Sequence, residues 1–352
     1  MNSRTRTAVL ISVIVLLVVG AVFGTLLHKP NEQTAMTQPG KLSQLTMIDT
    51  RTGWALTMDD QIFRTVDGGA TWTDVSIFQA PTSRQTVPVT AACFLDGKTA
   101  FVATNAGTDN QPQIVAYYTN DEGATWNRTS IAPQLDWEKS DVGGLMISFA
   151  DASNGYLMIT GTPGAGQMAK SLYRSVDGGT TFSFVGDITG MTDEAGTVEG
   201  IAGYPTGMTF STPETGFVTC FYSAYTYVLM FKTMDAGTTW RLWSVPVPAA
   251  YQNLKPAQDF YADAYPPVFF GEQKKDGMFM LDYVQNGNHV MQSYRTTDAG
   301  DTWTLGPVSN NPDVTTYSFI DAATGWGADR SGKLFATIDG GATWTAVTTT
   351  AK

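Results

Sequence analysis

Short stretches of this chain alternate apolar and polar residues with a period of two. "QIFR" (61–64) and "KLFA" (333–336) are two such runs, and each is followed a few residues later by another, "TWTDV" (71–75) and "TWTAV" (343–347). A period of two sends successive side chains to opposite faces, the pattern of a β-strand rather than a helix. Between the runs stands one eight-residue pattern, [ST]-x-D-x-G-x-T-[WF]. It occurs as "TVDGGATW" (65–72), "TNDEGATW" (119–126), "SVDGGTTF" (175–182), "TMDAGTTW" (233–240), "TTDAGDTW" (296–303) and "TIDGGATW" (337–344). A carboxylate at this place accepts hydrogen bonds from backbone N–H groups just ahead of it. Glycine two residues later supplies the positive φ that such a turn commonly needs. Asp67, Asp121, Asp177, Asp235, Asp298 and Asp339 are therefore read as six structural turn aspartates. No single active site needs six equivalents.

A second, looser repeat precedes each box and ends in glycine and an aromatic residue: "IDTRTGW" (48–54), "ADASNGY" (150–156), "STPETGF" (211–217) and "IDAATGW" (320–326). "LDGKTAF" (95–101) puts alanine for the glycine, and "KKDGMF" (274–279) carries an insertion. Two hairpins per repeat make four strands. The boxed aspartates recur at intervals of 41 to 63 residues; the shortest matches the roughly 40–45 residues of a four-stranded propeller blade. The expectation is an all-β, six-bladed β-propeller of four-stranded blades over residues 42–349, with insertions between blades. Blade one begins with its own inner strand near Leu45, and 38–44 is a candidate outer strand for blade six.

The first residues are a separate object. "AVLISVIVLLVVGAVFGTLL" (8–27) holds no charge and follows Arg4 and Arg6. About 20 apolar residues cross a bilayer, and flanking arginines keep the N-terminus cytoplasmic. The reading is a cytoplasmic N-terminus over 1–7, a single transmembrane signal-anchor over 8–27, a polar linker over 28–41 and an extracytoplasmic propeller. A secreted form after signal cleavage is the alternative.

Charge narrows the partners. The chain carries a net charge of −11; without Arg4, Arg6 and Lys29, 18 Lys+Arg face 32 Asp+Glu, a net of −14. Such a surface disfavours nucleic acid and charge-driven docking on anionic lipid. With only His28 and His289 present, a histidine-based metal site or a Ser-His-Asp triad has little to work with, so neither a metal nor a cofactor is expected. Cys93 and Cys220 fall in non-adjacent repeats and are read as buried free thiols.

The eight-residue pattern is similar to the Asp-box, or BNR, repeat of sialidases, sortilin ectodomains and many bacterial propellers. "FID…TGW" together with "TIDGGATW" most resembles the photosystem II stability and assembly factor family and its non-photosynthetic relatives. The resemblance covers 43–347 and implies a docking platform without catalysis. The apolar run and the acidic ectodomain depart from that family, so the scaffold role carries over and the photosystem partner does not.

In such a blade the boxes fall on the face of short turns, and the insertions fall mainly on the opposite face, where long loops concentrate binding. Candidate contact residues there are Trp137, Glu138 and Asp141; Glu199 and Tyr204; Tyr225; and Tyr251, Asp259, Tyr261 and Asp263. Aromatics among acids suit a protein or envelope-glycan partner. The alternative is a glycoside hydrolase. A sialidase would need three arginines on inner strands, whereas Arg64, Arg174 and Arg295 immediately precede boxes, on third strands, and Arg51 sits in a box-face turn.

Overall fold

The first repeat shows how the alternation is used. Its inner strand Leu42–Met47 buries Leu45 and Met47 and leaves Gln44 and Thr46 half-exposed. The next strand, Gly53–Thr57, is buried on both sides, and Ile62–Thr65 nearly so, because each is covered by a neighbouring sheet. Trp72–Asp74 forms the more open outer strand. The computed structural model describes residues 27–28, 35–36, 38–77, 90–108, 111–164, 166–192, 198–221, 229–252, 260–285, 287–310 and 313–348. Within them this antiparallel order recurs in every repeat: Thr90–Phe94 to Thr125–Ile131, Gly144–Phe149 to Ser183–Asp187, Tyr204–Phe210 to Arg241–Trp243, Phe260–Ala264 to Thr304–Val308, and Val314–Phe319 to Thr345–Ala346. The result is the expected six-bladed, all-β propeller. Among the described residues the one helical element is a 3-10 turn, Trp137–Lys139.

Blade five departs from the plan. Its inner strand is split: Phe260–Ala264 pairs with 281–285, and Val268–Phe270 pairs with 276–278. Tyr265-Pro266-Pro267 lies between, and proline has no N–H to give a ladder. The two strands behind it, Asp276–Gln285 and Asn288–Thr296, are correspondingly long.

Blade-to-blade packing explains the second sequence repeat. The aromatic residue of its glycine–aromatic pair stacks on the inner-strand phenylalanine of the next blade. Phe101 lies on Phe149 with ring centroids 3.4 Å apart, Tyr156 on Phe210 at 3.5 Å, and Trp54 on Phe94 at 5.4 Å. The glycine makes room within its own blade: a Cβ at Gly155 would stand 2.3 Å from the Phe149 ring, and one at Gly325 would stand 2.4 Å from Phe319. On the third strand, basic residues reach across the seam. Arg64 donates to the Gly97 carbonyl at 3.0 Å and pairs with Glu122 at 3.1 Å; Lys232 pairs with Asp301 at 2.5 Å while lying 4.5 Å above the Trp243 ring.

Ring closure uses the same contacts. The Met47 amide donates to Ser318 Oγ at 2.7 Å, and Leu45, Met47 and Trp72 pack with Trp326 and Leu334. The four main strands of every blade come from one contiguous piece of chain. The suggestion that 38–44 completes blade six is not realised: that outer strand is Thr345–Ala346, and the stretch instead leads into blade one.

Around the stretch read as a polar linker, 28–41, two short segments are described, and both pair with the ring. Leu27–His28 pairs with Trp126 and Thr125 on the outer edge of blade two, and Ala35–Met36 pairs with Thr73 and Trp72 on that of blade one. An outer strand leaves a row of unpaired N–H and C=O groups, and these segments occupy it. The run 8–27 lies, apart from Leu27, outside the described residues, among which no helix is long and apolar enough to cross a membrane.

Candidate binding face and axial channel

The six boxes form one repeated device. In the first, Asp67 Oδ1 accepts the Thr71 amide at 2.8 Å and the Thr65 hydroxyl at 2.9 Å, and Oδ2 accepts the Thr71 hydroxyl at 2.6 Å. Thr65 Oγ1 in turn accepts the Gly69 amide at 3.0 Å. The equivalent bonds recur at Asp121, Asp177, Asp235, Asp298 and Asp339. Each turn also donates one amide to the neighbouring short turn, as Gly68 N does to the Arg51 carbonyl at 2.8 Å. The turns hold two successive left-handed residues where the sequence suggested one. Glu122, Ala236 and Ala299 adopt φ of 67°, 59° and 59° beside the box glycines.

These bonds favour the charged carboxylates. At Asp298 the Thr302 hydroxyl and amide hold the group at about 2, and at Asp339 the Thr343 hydroxyl and amide act in the same direction. At Asp67, Asp121, Asp177 and Asp235 burial pushes upward, and the threonine hydroxyl and amide outweigh it.

The opposite face is built from unlike parts, and its candidate residues divide by position. Glu138 is not a surface contact: it is 1% exposed. Its Oε2 accepts the Gln134 amide at 2.6 Å, the Leu135 amide at 2.9 Å and the Tyr173 hydroxyl at 2.8 Å, while Oε1 accepts the Ser171 hydroxyl. The carboxylate ties the blade two–three connection to blade three. Trp137 is half-buried and packs against the core between those blades. Asp141 accepts the Thr162 amide at 3.1 Å. Tyr204 donates to the Gly164 carbonyl at 2.6 Å and accepts the Gly166 amide at 2.8 Å, holding the 161–169 connection. Tyr251 stacks on Tyr283 with centroids 4.4 Å apart. The backbone of Tyr261 and Asp263 pairs with that of Val284 and Asp282, and Glu199 pairs with Met191 in a small hairpin. Tyr225 and Asp259 lie outside the described residues. The candidates thus sit in separate connections, and several serve to hold those connections in place.

The inner strands enclose a feature that reasoning from the loops missed. An axial channel of about 760 Å³ is lined by every blade. Its waist is a belt of small residues one position before the inner-strand aromatic or methionine: Thr46, Cys93, Ser148, Thr209, Val268 and Ser318. Three of them bind the next blade: Ser318 accepts the Met47 amide, Ser148 the Phe210 amide at 2.8 Å, and Cys93 Sγ the Phe149 amide at 3.2 Å. Cys93 and Cys220 are free, as expected, and burial pushes the Cys93 thiol up to about 11. Ile48, Leu95, Phe270 and Ile320 line the box-face end, with Lys274 beside them. Gln44, Thr206, Thr316 and Tyr265 line the long-loop end, where Tyr265 meets Tyr317 edge-on at 4.6 Å. The signal was present in sequence: "TMID", "CFLD", "SFAD" and "SFID" each place a small residue before an apolar one ahead of the first turn.

No family model and no curated protein matches the chain. Solved structures resemble it in architecture. YCF48 bound to D1 peptide is similar at 12% identity and a TM-score of 0.45, over 88% of this chain and 96% of that one. The SapL1 lectin in complex with alpha methyl fucoside is similar at 11% identity and 0.49, over 88% and 96%. A GH74 xyloglucanase from Xanthomonas campestris is similar at 14% identity and 0.46, over 90% of this chain and 47% of that one.

Proposed function

We propose that the protein is a membrane-tethered, extracytoplasmic and non-catalytic scaffold that binds a protein or an envelope glycan through its long-loop face. The observation that carries this reading is the contrast in regularity between the faces. Box turns repeat one self-satisfied arrangement six times, whereas the opposite connections differ in length, composition and bonding from blade to blade. Unlike loops on a rigid ring are what specific recognition requires. The carboxylates described there support binding over hydrolysis: Glu138 is saturated with donors and Asp141 holds a backbone amide. The apolar run 8–27 supplies the tether in this reading, with the strand pairs at 27–28 and 35–36 joining it to the side of the ring.

The test is affinity capture with the detergent-solubilised full chain, compared with a Tyr261→Ala/Asp263→Ala variant that folds normally. Selective loss of a partner by the variant is expected. Equal recovery of every partner by both proteins would count against this face.

A further inference from the structure

We infer that the long-loop mouth of the axial channel is a site for one neutral sugar unit, a pyranose without a carboxylate. This deepens the binding reading above and rests on it only in taking the long-loop side as the working side.

The channel volume, about 760 Å³, falls within the roughly 300–1,000 Å³ of small-molecule sites. Its lining is chemically distinctive. In a chain with a net charge of −11, no aspartate or glutamate lines the cavity among the described residues, and Lys274 is the one cation among them, at the box-face end. Among those residues a positively charged ligand finds no counter-charge, and a metal ion finds no carboxylate. An acidic ligand finds among the described residues only Lys274, whose ammonium already faces the Phe269 carbonyl at 3.4 Å. Burying an unpaired charge costs far more than burying a hydrogen-bonded hydroxyl.

The neutral groups suit hydroxyls. Gln44 offers both an acceptor and donors, and Thr46, Thr209 and Thr316 offer groups that do either, while Thr206, which donates to the Ala264 carbonyl at 2.6 Å, can accept. Ser148 accepts a backbone amide and keeps its own proton for a second partner. A pyranose presents a ring of hydroxyls that each donate and accept, matched to such a wall. It also presents an apolar C–H face, and the Tyr265–Tyr317 pair at the mouth places aromatic surface beside the polar groups. At the far end Ile48, Leu95, Phe270 and Ile320 carry no partner for hydroxyls and Ser211 and Lys274 are the polar exceptions among the described residues, so the richer polar wall, and the sugar, belong at the mouth and the waist.

Saturation-transfer NMR on the detergent-solubilised full chain tests this with three probes: methyl glucoside, methyl N-acetylglucosaminide and methyl glucuronide. Saturation of at least one neutral glycoside is expected, with none for the glucuronide. Thr46→Val/Thr209→Val removes two hydroxyls at nearly constant volume and is expected to weaken binding about tenfold, the equivalent of one good hydrogen bond. Ile338→Ser, on the box face, is the control and leaves binding unchanged. Unaltered urea midpoints show that the variants fold. Silence of both neutral glycosides, equal binding by the double variant, or preference for the glucuronide would overturn the inference. An extended peptide that displaced nothing but itself bound through Gln44 and Tyr265 would also overturn it. Loss of partner capture by the Tyr261/Asp263 variant with intact sugar binding separates this site from the loop surface.

Discussion

The two faces of the ring solve the same problem, the closing of strand ends, in opposite ways. On the box face every turn is closed by an aspartate, a threonine or serine two residues before it and a threonine four residues after it. No box depends on another, and stability is spread over six copies. On the long-loop face single buried groups carry whole connections. Glu138 alone holds four donors, and Lys170, fully buried, has the Met168 carbonyl at 2.8 Å as its main acceptor. Distributed bonding makes a dependable rim, while concentrated bonding leaves the rest of a loop free to vary.

This contrast can be broken by mutation. Glu138→Ala strands two amides and two hydroxyls, and a loss of about 4 kcal/mol is expected in urea unfolding. A loss under about 1 kcal/mol would show that the connection does not depend on it. Lys170 tests the same face with the opposite sign. Burial lowers it from 10.5 to about 8, so between those values the unfolded chain binds the extra proton and folding strengthens as pH rises. Below about 8 the whole penalty is present. Lys170→Met is expected to stabilise the protein at pH 7 by about 3 kcal/mol and to flatten its urea midpoint, relative to the parent, between pH 8 and 10.5.

The box face is expected to respond less to any single change. Asp67→Ala costs about 1–3 kcal/mol, through the amide and hydroxyls it leaves unpaired, without altering capture at the far face. Because the folded boxes hold their carboxylates below the ordinary 3.8, their contribution is present above that value and fades as pH falls through it; for Asp298 the loss completes near 2. In urea unfolding the stability of the parent should exceed that of an Asp67→Asn variant above about 3.8, and the difference should shrink as pH falls through that value. Smallest is Glu122→Ala. Its partner Arg64 keeps the Gly97 carbonyl and the Trp54 ring, and Glu122 itself is half-exposed, so about 0.5 kcal/mol is expected.

The difference between the faces also explains what the sequence could disclose. Local chemistry was legible: Asp67 and Gly69 form their turn from residues within reach along the chain, so six copies revealed six hairpins and, with their spacing, the ring. The free state of the cysteines and the third-strand place of Arg64, Arg174 and Arg295 followed from register. Long-range arrangements were not legible. Glu138 read as a surface acid because its partners Ser171 and Tyr173 lie more than thirty residues away. The split inner strand of blade five could have been suspected from Pro266-Pro267 alone, whereas the channel required knowing which alternate positions face the axis.

That the four main strands of each blade are one unbroken length of chain, joined to the neighbouring blades by side chains and single amide bonds, bears on how such a molecule can change. Propellers that share a strand between first and last blade lock their number of blades into the closure. Here the seam between Met47 and Ser318 is of the same kind as the seams at Ser148 and Cys93. A tandem duplication or deletion of a whole repeat would therefore cut no four-stranded blade, and among the described residues only the first two blades carry an edge segment, 35–36 or 27–28, from outside the repeat. The unit of inheritance in this protein is the blade itself, and its loops can diverge one at a time while the ring is copied around them.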